Sequence, residues 1–139
     1  MVSYLVDTNV VSEVRKSKRA NRKVLAWWDS VQTSRIYLHV LTIGEIHRGI
    51  VLLRDTDPNQ ARFLGIWLKG LSRYFRKRLV TVDLQASLIW AEIQSRRTIP
   101  HVDALIAASA IRHDLTLVTR NVKDIHDTGV RYLNPFEAG

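Results

Sequence analysis

The chain runs to 139 residues, enough for one domain with a substantial hydrophobic core. Lys and Arg number 21 against 13 Asp and Glu, and the resulting +8 favours nucleic acid or another acidic partner while saying nothing of fold. The absence of cysteine excludes disulfides, thiolate metal sites and thiol catalysis, and no apolar run approaches the roughly 20 residues that span a bilayer.

Val2 to Val6 is a short apolar run bounded by Asp7-Thr8-Asn9, which predicts a buried strand feeding a helix. Direct entry into a strand, without a charged leader and cleavage site, fits a cytoplasmic protein. Arg15 to Lys23 is basic and polar, a helix end and loop, and Val24 to Val31 reads as helix with Trp27 and Trp28 adjacent. Ile36 to Val40 is a second strand, after which Thr42-Ile43-Gly44-Glu45 opens a helix reaching about Arg54. Asp55 to Asn59 is a turn, with Pro58 near the first position of the next helix. That helix, to about Lys77, carries Phe63, Leu64, Trp67, Leu68, Leu71, Tyr74 and Phe75 as one wide apolar stripe. Leu79 to Val82 is a third strand, and Asp83 is a natural N-cap for a helix to about Arg97. Pro100 breaks the chain before a helix over Val102 to His113. Leu115 to Val118 is a fourth strand, followed by a short helix and a weak strand near Val130 to Leu133. Strands alternating with helices imply an α/β sandwich around a mainly parallel sheet, whose functional groups gather beyond the carboxyl ends of the strands.

Four acids fall at such positions: Asp7, Glu45, Asp103 and Asp124. Each has an ordinary structural use. Asp7 can cap the first helix, and Glu45 follows Thr42 at capping-box spacing. Asp103 and Asp124 can complement helix dipoles, Asp124 in a helix opened by Asn121. Jointly they mean more, because capping alone would leave several like charges in one crevice. A divalent cation turns that repulsion into a site, and oxygen-rich sites suit Mg²⁺ or Mn²⁺. Beside a basic surface, the cluster points to a metal-dependent nuclease.

The motifs also carry a resemblance. Asp7-Thr8-Asn9-Val10-Val11-Ser12-Glu13, Thr42-Ile43-Gly44-Glu45, Asp103-Ala104-Leu105-Ile106-Ala107-Ala108 and Leu117-Val118-Thr119-Arg120-Asn121 stand in the order seen in PIN domains, and Asn134-Pro135-Phe136 resembles an Asn-Pro-Trp ending. The chain most resembles the VapC toxins, in particular the FitB-like subgroup. The resemblance implies a single PIN domain over residues 1–139, with an α/β/α sandwich fold. It implies an Mg²⁺-dependent endoribonuclease (Mn²⁺ also serving), the toxin of a type II toxin–antitoxin pair held by a VapB-type antitoxin, and a homodimer. Its acidic positions fall on Asp7, Glu45 and Asp103. For the fourth, Asn121 stands where many members have Asp, and Asp124 one helical step on is the favoured substitute. A PIN-like RNA-binding or interaction module with weakened catalysis is the alternative, resting on Asn121.

For a nuclease, Asp7 and Asp103 are expected nearest the metal, since Mg²⁺ is usually held directly by one or two carboxylates. Asn9, Thr119 and Asn121 are candidate orienting residues behind them, with cap and turn roles as the alternative. Arg15, Lys16, Lys18 and Arg19 lie beside the Asp7 strand end and, with Arg120, are candidate RNA contacts. Adjacent Trp27 and Trp28 do not easily face one core, so one of them is expected at another chain. The histidines show no metal-binding spacing and read as surface or packing residues, with His101 near Asp103.

Overall fold

The structure is a computed structural model that describes residues 1–137. Among these residues five strands form one parallel sheet in the order β3-β2-β1-β4-β5. They are β1 (Tyr4–Val6), β2 (Ile36–His39), β3 (Leu79–Val80), β4 (Thr116–Val118) and β5 (Tyr132–Leu133). The helices are α1 (Thr8–Arg15), α2 (Arg22–Ser30), α3 (Val40–Leu53), α4 (Pro58–Tyr74), α5 (Leu84–Arg96), α6 (His101–Arg112) and α7 (Val122–Ile125).

The two-residue period of a strand explains the layering. Leu5 and Val6 are both fully buried, yet on opposite faces of the sheet. Leu5 joins Ile106, Ala107, Leu117 and Ile125 under α6 and α7. Val6 joins Val10, Val24, Ile36, Phe75 and Val118 under α1 and α2. Tyr4–Val6 pairs with Thr116–Val118 in register, so β1 and β4 end side by side. The expected sandwich is therefore present, and its central crevice opens at those strand ends.

Local signals set most helix starts. Asp57 Oδ1 accepts from the Gln60 amide at 3.2 Å with Pro58 in the first turn, and Asp83 Oδ1 accepts from Ala86 at 2.8 Å. Such caps are each worth about 1 kcal/mol. The start of α3 differs from expectation. His39 caps it, with Nδ1 accepting from the Leu41 amide at 3.0 Å, so the helix begins at Val40. Thr42 is then interior and fully buried with an unpartnered hydroxyl, and the Thr42–Glu45 capping box does not form. The other nitrogen of His39, Nε2, donates to Ser109 Oγ at 2.9 Å, and Ser109 donates on to the Leu105 carbonyl. Burial holds the imidazole pKa down to about 4 and keeps it neutral.

Other expectations shift. β3 ends at Val80, and α4 ends at Tyr74 before a 3₁₀ turn over Arg76–Arg78. The apolar stripe of α4 divides, with Leu68 and Phe75 buried but Phe63 and Tyr74 about 60% exposed. Trp27 and Trp28 both pack half-buried against the same core, 6.4 Å apart edge to face, and each keeps an edge on a surface groove. An indole is long enough to reach one core from adjacent helix positions, and Trp27 also edges onto Tyr4 at 5.2 Å. No helix among the described residues is long and apolar enough to cross a membrane.

Candidate active site

Asp7 sits where β1 becomes α1, and four hydrogen bonds fix it. Its amide donates to the Val118 carbonyl at 2.9 Å, which continues the β1–β4 pairing one residue past the strand. Oδ1 accepts from the Thr8 amide at 2.8 Å as the helix cap, so the structural role holds. Oδ2 accepts from the Thr119 hydroxyl at 2.9 Å and, more loosely, from Asn9 Nδ2 at 3.4 Å. The residue is only 8% exposed, and burial raises its pKa against the pull of Thr8 and Thr119, with the Glu45 charge adding to the rise.

Thr119 and Asn9 lock this corner. Thr119 lies at the end of β4, its hydroxyl also accepting from the Asn121 amide at 3.1 Å and from Asn9 Nδ2 at 3.3 Å. Asn9 Oδ1 accepts from the Arg120 amide at 3.1 Å. Both therefore hydrogen-bond to Asp7 Oδ2 and to each other.

Glu45 reaches the corner from an exposed position on α3, and its Oε1 accepts from the Thr8 hydroxyl at 2.6 Å. Asp103 projects from the first turn of α6. Burial first, then the charges of Asp7, Glu45 and Asp124, push its pKa up to about 6. The other three acids thus all bear on Asp103, and Glu45 bears on Asp7 as well.

Asn121 is where the structure corrects the sequence most. It stands before α7 but makes no side-chain cap. Instead Nδ2 donates to Asp103 Oδ2 at 3.2 Å and to Asp124 Oδ2 at 2.9 Å. The amide holds the two carboxylates together through its hydrogens, opposing the rise at Asp103. Both candidates for the fourth position are therefore present, one bridging to the other.

The proposed basic contacts are less concentrated. Arg15 lies over the Trp67 ring at 5.9 Å, and Lys16 is paired with Glu13 at 3.0 Å. Lys18 and Arg19 are exposed on a 3₁₀ turn. Arg120, next to Thr119 in the chain, is held over Phe136 at 4.6 Å. His101 is exposed and tilts against Trp90 at 6.0 Å. Sequence reasoning missed the Thr8–Glu45 bond, although a hydroxyl beside a strand-end Asp was the signal available.

The donor set suits a hard divalent cation: oxygen ligands, no thiolate in the chain, and two carboxyls whose pKa burial and neighbouring carboxylates raise. Among the described residues no three carboxylates or imidazoles converge closely enough to chelate an ion alone.

A family model described as PIN domain matches residues 4–129. The chain is similar to Toxin FitB of Neisseria gonorrhoeae, 30% identical over 137 residues that cover 95% of this chain and 97% of that protein. It is similar to a VapC ribonuclease of Sinorhizobium fredii, 30% identical over 141 residues that cover 96% of this chain and 97% of that one. The crystal structure of FitAcB from Neisseria gonorrhoeae superposes with a TM-score of 0.88 at 30% identity, over 97% of this chain and 99% of that chain.

Proposed function

This chain belongs to the PIN-domain family, and from that premise we propose that it is a VapC-type ribonuclease toxin that cuts RNA phosphodiester bonds with a divalent metal at Asp7, Glu45, Asp103 and Asp124. One observation carries the reading: acids from β1, α3, α6 and α7 meet in one crevice and raise the pKa of Asp103. Asp7 and Asp103 would hold Mg²⁺, or Mn²⁺ in its place. When bound, the ion supplies charge neutralisation, a lowered pKa for its water and polarisation of a phosphoryl oxygen.

The protein's own residues do the rest. Thr8 and Thr119 aim the oxygens of Asp7 and oppose the rise that burial imposes on its pKa. Thr8 holds one oxygen of Glu45, and the other, Oε2, orients an attacking water and takes its proton. Asn121 holds Asp124 against Asp103, so Asp124 fills the fourth corner and Asn121 steadies it. This weakens the case for a module without catalysis, because the residue that suggested it sits beside a carboxylate. Arg120, fixed over Phe136, meets the RNA backbone, and Lys18 and Arg19 add a mobile positive field.

A VapB-type antitoxin and a second copy of the chain complete the reading, in a cytoplasmic setting where RNA is the available polyanion. An apolar groove of 660 Å³ lined by Trp28, Phe63, Ile66, Trp67 and Tyr74 is the surface assigned to the antitoxin. The purified protein should cut a structured RNA with Mg²⁺, stop with EDTA, and stop on Asp7→Asn. Cleavage that survives in Asp7→Asn and Asp103→Asn together would overturn the assignment.

A further inference from the structure

Helices α3 and α4 pack against each other and leave between them a pocket of 530 Å³. Its rim carries His47 and Arg54 from α3, and Arg62 and Lys69 from α4. No carboxylate lines it, and among the described residues none of these four groups takes part in an ion pair. Ile50 and Leu68 make an apolar floor. Three permanent positive charges around one concavity repel each other, an arrangement that an anion relieves.

Gly65 belongs to the same lining. It lies within α4 and lines the pocket, and a Cβ there would meet nothing within 4 Å. A glycine inside a helix lowers its stability relative to alanine. The space beside Gly65 is open, so a longer side chain there would enter the pocket.

We infer that this pocket is a second RNA site, binding a backbone phosphate and its attached nucleoside at a distance from the acids. The inference rests on the ribonuclease reading for its choice of polyanion. A volume of 530 Å³ is in the range of small-ligand sites, the cations suit the phosphate, and the apolar floor suits the face of a base. Helical phase places it. His47, Ile50 and Arg54 lie roughly 140–200° around α3 from Glu45, so the pocket faces away from the acids across a helix about 10 Å wide. A short strand in the acid crevice does not reach it. A folded RNA does, and is held at two points.

The test measures binding of two fluorescent probes to the full-length protein: a hairpin of about 30 nucleotides and a single-stranded hexamer. Variants are the triple Arg54→Gln/Arg62→Gln/Lys69→Gln, the pocket-filling Gly65→Leu, and the charge-matched control Arg73→Gln/Arg76→Gln/Lys77→Gln. The triple variant should weaken hairpin binding at least tenfold and lower the slope of log K against log salt by about 0.7–0.9, the value for one lost phosphate contact. Gly65→Leu should weaken hairpin binding without removing charge, the control should do much less, and hexamer affinity should not move. In cleavage assays KM should rise for the hairpin with kcat unchanged. Unchanged hairpin binding in the triple variant overturns the site. So does loss in the triple variant but not in Gly65→Leu, which would reveal only a diffuse field, and so does preferential binding of an oligoglutamate peptide over the hairpin. RNA binding without cleavage would instead reject the ribonuclease reading and leave the pocket standing.

Discussion

The acid crevice and the α3–α4 pocket hold charge in opposite ways. In the crevice, like charges are forced together by backbone, and donors from Thr8, Asn9, Thr119 and Asn121 fix their oxygens. In the pocket, exposed cations on flexible stems stand without ion-pair partners among the described residues. The first arrangement stores unfavourable energy for the sake of position, as chemistry requires. The second needs only charge and space, as binding of a polyanion requires. Mutations should therefore be sharply position-dependent in one region and graded in the other.

The largest expected effect is at the crevice. Asp7→Asn or Asp103→Asn should lower the cleavage rate on the order of 10²–10⁴-fold, while neither lowers stability in EDTA. For Asp103 the sign follows from its raised pKa, about 6 folded against 3.8 for the ordinary carboxyl. The protonated form is favoured in the fold, so wild type has its full stability below about pH 4 and loses part of it as pH rises through 6. Urea unfolding in EDTA should show Asp103→Asn level with wild type near pH 4 and ahead of it at pH 7. Equal stability at both pH values would break the claim that the crevice stores repulsion.

Asp124→Ala should slow cleavage roughly 10–100-fold and weaken the Mg²⁺ dependence, since it removes a corner of the site. Asn121→Ala should do less to the rate but shift its acid limb upward, because Asp103 loses the hydrogen bond that opposes its rise. A pH–rate profile separates the two, and a larger rate loss in Asn121→Ala would exchange their roles.

Thr8→Val should cost about tenfold in rate, or about 1.4 kcal/mol of barrier, by releasing Glu45. Thermal unfolding should barely change, because that bond lies on an exposed side chain. The smallest effect belongs to the other region. Gly65→Ala should stabilise the protein by about 0.5–1 kcal/mol and leave hexamer cleavage intact, readable as a higher Tm. No gain would mean that the glycine answers a packing demand after all.

Sequence legibility follows the same division. Signals that act within a few residues were readable: Asp57 with Pro58, Asp83 as a cap, Leu5 and Val6 as a buried strand, and the acids at strand ends. Signals that depend on a distant partner were not. Val40 read as strand because the imidazole cap at His39 looks like one more buried residue. Asn121 read as a cap because its amide partners lie on α6 and α7 rather than at its own helix start. That Trp27 and Trp28 reach one core from adjacent positions depends on the depth of the core they enter. The basic pocket escaped notice because its cations come singly from two helices, whereas the runs that draw the eye, Arg15 to Lys23 and Arg73 to Arg78, are gathered only in sequence.

The pairing of β1 with β4 bears on when this protein becomes dangerous to its maker. Asp7 is bonded to Val118 and Thr119, more than a hundred residues later, and β1 lies at the centre of the sheet. At about 5–20 residues per second, a ribosome needs on the order of ten seconds to follow Asp7 with its partners. Until then the chain has its first acid and no crevice to place it in. A nascent copy is harmless to the message being read and to the RNAs reading it, and activity begins only after the partner strand has been made.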